Sequence, residues 1–141
     1  MNLQYVTADK SDIPQVFLLA KQLIECYEDL GSIDLDKVLQ WVNHKLENRI
    51  RTYTKVLLDK VVCGYYCLSA DGELDDFYVL PEFRNRGIGS QILKKCIGQS
   101  REPVYLYVFA GNIRAIALYE RFGFSIAKRV GKTRLIMRRN G

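Results

Sequence analysis

The chain has 141 residues, the commonest size for one compact domain, and we expect a single domain over residues 1–141. Its composition, 48% hydrophobic and 26% charged, is that of an ordinary globular protein and excludes a disordered or fibrous chain. The longest early apolar run, residues 16–20, is too short to span a bilayer, and residues 1–10 lack a signal-peptide pattern, so we expect a cytoplasmic protein with no membrane partner.

Charge is divided unevenly along the chain. Residues 1–80 carry eight Lys/Arg and thirteen Asp/Glu, a net charge of −5, whereas residues 81–141 carry thirteen and three, a net charge of +10. The second part therefore favours an anionic ligand. Binding to nucleic acid would also explain the excess of positive charge. The basic residues are dispersed, however, and match no recognised nucleic-acid motif, so we expect no nucleic-acid partner.

The first half of the chain predicts a strand, two amphipathic helices and a β-hairpin. The strand is expected over residues 3–7 and the helices over 11–29 and 34–48. Two further β-prone runs, residues 53–58 and 61–69, flank Asp59 and Lys60 and predict a hairpin that turns there.

A strand-to-helix junction follows. Residues 74–79, L-D-D-F-Y-V, predict a strand that Pro81 ends, and apolar residues recur at helical spacing from Ile88. Between them lie Arg84, Gly87 and Gly89, in a turn that leaves backbone N–H groups unpaired at a positive helix terminus. Such a turn binds anions. Its spacing, R-x-x-G-x-G, matches neither the dinucleotide fingerprint nor the P-loop.

The last third predicts a strand over residues 103–109, a helix over 112–124 and strands over 124–130 and 134–138. In N-I-R-A-I-A-L-Y-E-R-F-G-F, one helical stripe carries Asn112, Ala115 and Tyr119. Asn112 suits the N-cap of this helix and Gly123 the C′ position. An ordinary amphipathic helix with a buried tyrosine would show the same pattern. Strands and helices alternate, which predicts an α/β fold.

The two motifs together resemble the GNAT superfamily of acyl-CoA-dependent N-acetyltransferases. R-x-x-G-x-G resembles the pyrophosphate loop of that family, and residues 112–124 resemble its N-x-x-A-x-x-x-Y-x-x-x-G-F segment, which follows at about this distance. The order β-α-α-β-β-β-α-β-α-β-β is also that of the GNAT fold. The resemblance therefore implies one α/β domain with a mixed central sheet of about seven strands and four helices.

The resemblance implies acetyl-CoA as co-substrate. The loop would bind its pyrophosphate, the backbone amides of Phe77 and Val79 would hold the pantetheine arm and polarise the thioester carbonyl, and Asn112 would add a polar contact. The expected cofactor-binding residues are Phe77, Tyr78, Val79, Arg84, Asn85, Arg86, Gly87, Ile88, Gly89, Ser90, Asn112 and Tyr119.

Acetyl transfer to an amine also needs proton transfer. By resemblance, Tyr119 is the proton donor to the leaving coenzyme A thiolate. Asp75 and Asp76 are the candidates for the general base, and L-D-D-F-Y-V resembles the L-acid-D-F run of the polyamine-acetylating branch. Neighbouring strand residues face opposite ways, so only one of the two can face the acceptor; we prefer Asp75, with Glu73 on the same face. Solvated carboxylates at a strand end remain the alternative.

Metal and thiol chemistry are not expected. Cys63 and Cys67 would lie about 13 Å apart in a strand, too far to share a zinc ion. His44 is the single histidine, which excludes sites built on paired histidines. We expect the four cysteines to be small buried hydrophobic residues with reduced thiols: Cys26, Cys63, Cys67 and Cys96.

The sequence thus predicts an N-acetyltransferase that moves an acetyl group from acetyl-CoA directly to a small-molecule or peptide amine. Five carboxylates between the first two helices would favour a cationic acceptor such as a polyamine or aminoglycoside: Glu25, Glu28, Asp29, Asp34 and Asp36. Two alternatives stay open, namely a non-catalytic acyl-CoA-binding regulatory module and a protein or peptide N-terminal acetyltransferase. Homodimerisation is also left open.

Overall fold

The computed structural model describes residues 1–140, and within them seven strands and four helices follow one another in the predicted order. Hydrogen bonding groups the strands into one sheet of four, ordered β1-β2-β3-β4, and one of three, ordered β5-β7-β6. The elements are β1 Leu3–Thr7, α1 Ile13–Tyr27, α2 Leu35–Arg49, β2 Thr54–Leu58, β3 Val61–Leu68, β4 Leu74–Val79, α3 Ile88–Gln99, β5 Tyr105–Phe109, α4 Ile113–Arg121, β6 Phe124–Val130 and β7 Arg134–Arg139.

The chain divides into two compact units. One contains residues 1–67 and 76–84, and the other contains residues 68–75 and 85–141. A single domain over the whole chain stays a prediction.

The first unit packs α1 and α2 around an apolar core that also includes Tyr53, Tyr65 and Cys67. Val16 of α1 and Leu46 of α2 are fully buried there. β1 pairs antiparallel with β2, and β2 with β3, through the predicted hairpin. The hairpin turns at Asp59 and Lys60, whose φ angles of 51° and 68° are the positive values that a two-residue type I′ turn requires at both positions. No helix within residues 1–140 has the length and apolarity to cross a bilayer.

The second unit is built on the sheet of β5, β7 and β6, in which both neighbouring pairs are antiparallel. Successive side chains of each strand point to opposite faces of the sheet, as the two-residue period of a strand requires. Leu106 lies opposite Met137 and is buried with it, whereas Tyr107 lies opposite Ile136 and is exposed. An isolated parallel bridge joins Glu73 to Tyr105. The apolar face of α3 is buried along Ile88, Ile92, Leu93 and Cys96.

The expectation for the cysteines is confirmed at three positions and wrong at one. Cys63, Cys67 and Cys96 are buried, but Cys26 is exposed. Cys26 lies in the last turn of α1, whereas the buried residues of this helix all lie in its first half. The expectation rested on residue type alone, whereas Cys26 lies on the solvent side of the helix with the exposed Leu18 and Gln22.

Candidate active site

The N-terminus of α3 has the geometry of an anion-binding site. Gly87 occupies the N-cap with φ of 79°, a conformation that favours glycine, and a Cβ added there would meet no atom within 4 Å. The first hydrogen bond of α3 between residues four apart runs from the Gln91 N–H to the Gly87 carbonyl, at 3.1 Å. The N–H groups of Ile88, Gly89 and Ser90 therefore have no acceptor within the helix, and the positive end of its dipole adds to their attraction for an anion.

The side chains of this loop divide into exposed and buried ones. Arg84, Asn85 and Arg86 are exposed, so their polar groups face solvent. The Arg84 Nε donates to the Val79 carbonyl at 3.1 Å, which orients the guanidinium at the end of β4. Ile88 is only 1% exposed, so its contribution to a ligand is confined to its backbone N–H.

Arg114 ties the loop to α4, and sequence reasoning missed it. Its Nη2 donates to the Asn85 Oδ1 at 3.0 Å. Asn85 has φ of 65°, a left-handed conformation that asparagine tolerates better than most residues. A cation in the first turn of a helix is disfavoured by the helix dipole, and that unusual placement is the signal by which Arg114 could have been noticed.

The helix α4 begins and ends as predicted. The Asn112 Oδ1 accepts a hydrogen bond from the Ala115 N–H at 3.3 Å, which is the predicted N-cap. Gly123 follows the C-cap residue Phe122 with φ of 87°, which is the predicted C′ glycine. Because the Oδ1 of Asn112 is used for capping, a polar contact from this residue to a ligand would come from its Nδ2 group.

Tyr119 is buried in the second unit. Its side chain is 8% exposed, and its ring packs against Phe124 with centroids 5.7 Å apart. Burial disfavours the charged phenolate and raises the pKa of Tyr119 above its ordinary value. The phenol is therefore protonated throughout the neutral range, as a proton donor must be, although it is a weaker acid than free tyrosine.

The two carboxylates of β4 differ in their surroundings. Asp75 is half-buried. Asp76 is held by three groups: it accepts hydrogen bonds from the hydroxyls of Tyr53 and Tyr78, the latter at 2.8 Å, and forms an ion pair with Lys45 at 3.1 Å. Asp76 also has φ of 47°, which interrupts the regular pleat on which the expected opposite orientation of the two aspartates rests.

The predicted residues are thus distributed over both units. Asp75, the loop residues 85–90, Asn112 and Tyr119 belong to the second unit. The first unit contains Asp76, Phe77, Tyr78, Val79 and Arg84.

Three of the five carboxylates expected near the acceptor have local structural roles. Glu28 accepts from the Asp29 N–H at 3.1 Å. Asp29 accepts from the Ser32 hydroxyl at 2.7 Å and from the Gly31 N–H at 3.3 Å. Asp34 caps α2 by accepting from the Lys37 N–H at 3.2 Å. The carboxylates still place negative charge on an exposed part of the first unit, because capping does not neutralise them.

Comparisons with known proteins agree on the fold and the class of protein. The model of the acetyltransferase (GNAT) family matches residues 17–124. Spermine/spermidine N(1)-acetyltransferase of Bacillus subtilis is 39% identical over 56 residues, which cover 36% of this chain and 37% of that protein. The chain thus spans little more than a third of the length of this curated relative.

Two solved structures match over nearly the whole chain. The PaiA N-acetyltransferase from Thermoplasma acidophilum, in complex with coenzyme A, has a TM-score of 0.72 and 19% identity, with 100% of both chains covered. The ribosomal-protein-alanine N-acetyltransferase from Brucella melitensis has a TM-score of 0.63 and 25% identity, with 96% of this chain and 98% of that chain covered.

Proposed function

We propose that this chain, which belongs to the acetyltransferase (GNAT) family, moves an acetyl group from acetyl-CoA directly to a primary amine. The observation that carries the proposal is the N-terminus of α3, where three backbone N–H groups follow a left-handed Gly87 beside open space. The bond from Arg114 to Asn85 joins this terminus to the helix that bears Asn112 and Tyr119. The coenzyme A complex of the Thermoplasma relative supports the same ligand.

The coenzyme A pyrophosphate fits the N-terminus of α3 because its two negative charges match the unpaired N–H groups and the exposed Arg86. The backbone N–H groups of Phe77 and Val79 hold the pantetheine arm in the manner of an added strand and polarise the thioester carbonyl. The bound co-substrate supplies that thioester. No protein side chain forms a covalent intermediate in this reaction.

The acceptor amine must lose a proton before it can attack. An amine with a pKa of about 10.4 is unprotonated in only about one molecule in 2,500 at pH 7, a handicap of about 4.6 kcal/mol. Asp75, with Glu73 as its neighbour, is the proposed base. A carboxylate is a weak base towards an ammonium group, so in the proposed step the proton passes through water. Three donors already occupy the carboxylate of Asp76, which makes it the poorer candidate.

Tyr119 is the proposed proton donor. The amine nitrogen bonds to the thioester carbon, the tetrahedral intermediate collapses, and the carbon–sulfur bond breaks with its electron pair on sulfur. Tyr119 gives its proton to that sulfur and regains one from solvent, and the nitrogen loses its second proton to solvent as the amide forms. Because burial raises the pKa of Tyr119, the transfer has to accompany the breaking of the carbon–sulfur bond, when charge is developing on sulfur.

The proposed acceptor is a cationic small molecule of the polyamine or aminoglycoside class. The exposed carboxylates Glu25, Asp29, Asp34 and Asp36 support it by charge, and the Bacillus relative bears the name of a polyamine acetyltransferase. A second candidate is the N-terminus of a protein or peptide, which the name of the Brucella relative favours. We propose a cytoplasmic location for the protein with either acceptor.

The test is release of free thiol from acetyl-CoA against polyamines, aminoglycosides, amino acids and peptide N-termini, at 0.1 M and 1 M salt. We expect a polyamine to be preferred over a carboxylate-bearing amino acid. We also expect its KM to rise with salt more than that of a neutral amine, because the Debye length falls from about 10 Å to about 3 Å over that range. Preference for an anionic acceptor would contradict the proposed class, and coenzyme A binding without thiol release for any acceptor would favour the non-catalytic module.

A further inference from the structure

Asp76 has a backbone conformation that its sequence does not favour. Its φ of 47° lies in the left-handed region, inside a strand whose last three residues, Phe77, Tyr78 and Val79, are strong β-formers. Aspartate tolerates the left-handed region better than most residues, but inside a strand this conformation interrupts the pleat and persists only where the surrounding structure holds it. A break of this kind bends a strand and changes the direction of the groups that follow it. In β4 the residues that follow are Phe77, Tyr78 and Val79.

Three donors from three parts of the first unit hold the Asp76 side chain in this conformation. Lys45 comes from α2, Tyr53 from the segment just before β2, and Tyr78 from β4 itself. The Oδ1 accepts from Tyr78, and the Oδ2 accepts from both Lys45 and Tyr53. Charge-assisted bonds of this kind are about twice as strong as neutral ones.

The network is enclosed. The side chains of Lys45 and Asp76 are 12% and 11% exposed, and Tyr53 is 1% exposed. A carboxylate with so little access to water is stable only while its partners remain in place. Lys45 also lies with its Nζ 5.4 Å from the centroid of the Trp41 ring on the same helix, a cation–π contact that restricts where its ammonium can lie.

We propose that Lys45 is a positioning residue, which acts through Asp76 to fix the left-handed break in β4 and thereby the direction of the backbone N–H groups of Phe77 and Val79. This inference rests on the proposed function, which assigns those two N–H groups to the pantetheine arm and the thioester carbonyl. Lys45 touches neither the co-substrate nor the acceptor in this role. Its ammonium determines how accurately the backbone of β4 meets the reacting carbonyl.

The test compares Lys45→Met, Lys45→Arg and Asp76→Asn. Methionine keeps an unbranched stem without the charge, arginine keeps the charge and the donors, and asparagine keeps the shape of Asp76 and tolerates the left-handed conformation. Lys37→Met is the matched control, because Lys37 is an exposed lysine on the same helix. The first readout is amide hydrogen exchange of β4 in the unliganded protein, and the second is acetyl transfer.

We expect Lys45→Met to lose exchange protection at the end of β4, measured at Leu80, whose N–H donates to the Cys63 carbonyl at 2.8 Å. Tyr5 and Val56, which pair in the same unit, should stay protected. Its kcat should fall on the order of 10²-fold, as for a misplacement of about 1 Å, while coenzyme A affinity stays within a few-fold. Lys45→Arg should retain most of the exchange protection and most of the wild-type kcat. Asp76→Asn should resemble Lys45→Met, and the double variant should be no worse than either single one, because both disrupt one network.

Three results would overturn the inference. One is unchanged exchange at β4 in Lys45→Met, and another is exchange that accelerates equally throughout the unit, which would mark a merely stabilising contact. The third is an activity loss in Asp76→Asn alone, restricted to low pH, which would make Asp76 a base. If Lys45→Met does not fold, Tyr78→Phe removes one bond to Asp76 and should produce a smaller change at the same amide. Absence of thiol release by the wild type would refute the proposed function and leave the exchange result to decide on Lys45.

Discussion

Tyr119 combines a position that the sequence predicts with an environment that it does not. Helical spacing from Asn112 placed it on the expected stripe, and the structure confirms the helix and both of its ends. Its contact with Phe124 depends on where α4 and β6 pack, which no local pattern contains. Its raised pKa follows from that packing, so it could not be predicted from the motif alone.

Replacement of Tyr119 by phenylalanine tests its role as proton donor. Tyr119→Phe removes the phenolic proton but keeps the ring that packs on Phe124. We expect kcat to fall roughly 10²- to 10⁴-fold, with coenzyme A affinity within a few-fold of wild type, because proton transfer matters only in the chemical step. Steady-state kinetics combined with a coenzyme A titration measure the two quantities separately.

The exposed Tyr107 provides the control for this experiment. Tyr107→Phe removes a hydroxyl of the same kind from the solvent-facing side of β5 and should leave kcat unchanged. Wild-type turnover in Tyr119→Phe would mean that the thiolate takes its proton from solvent.

At the scale of elements, the junction of β4, its loop and α3 is the part of the site that the sequence predicts best. Strand and helix bounds, the hairpin turn and the glycine at the start of α3 all carry local signals, and the structure confirms them. The left-handed Asp76 carries none, because neither aspartate in a β-prone run nor its neighbours indicate a positive φ. The bonds from Lys45 and Arg114 join residues distant in sequence and are equally absent from any local pattern.

Gly87 permits a matched pair of variants at this junction. Asparagine and aspartate have nearly the same size and both tolerate the left-handed conformation, so they differ chiefly in charge. Gly87→Asp should abolish coenzyme A binding because a carboxylate would lie where the pyrophosphate binds, whereas Gly87→Asn should bind more weakly than wild type but measurably. Titration calorimetry measures both affinities. Equal affinity in the two variants would remove the N-terminus of α3 from the proposed site.

At the scale of the whole molecule, the number and order of strands were predictable but their division into two sheets was not. Periodicity identifies a strand, whereas its partners are set by long-range pairing. The charge division is clearer from sequence alone: residues 81–141 carry a net charge of +10 and include the loop, α3 and α4. That charge favours an anionic co-substrate before any contact is made.

The central claim, that this chain binds coenzyme A at the N-terminus of α3, is tested most directly by thermal unfolding with and without coenzyme A. At about one hundred times its Kd, the ligand should stabilise the fold by about 2.7 kcal/mol, which for a chain of this size raises Tm by roughly 5–10 °C. Pantetheine, which lacks the pyrophosphate, should raise Tm far less at the same concentration. No shift in Tm with millimolar coenzyme A would contradict the account.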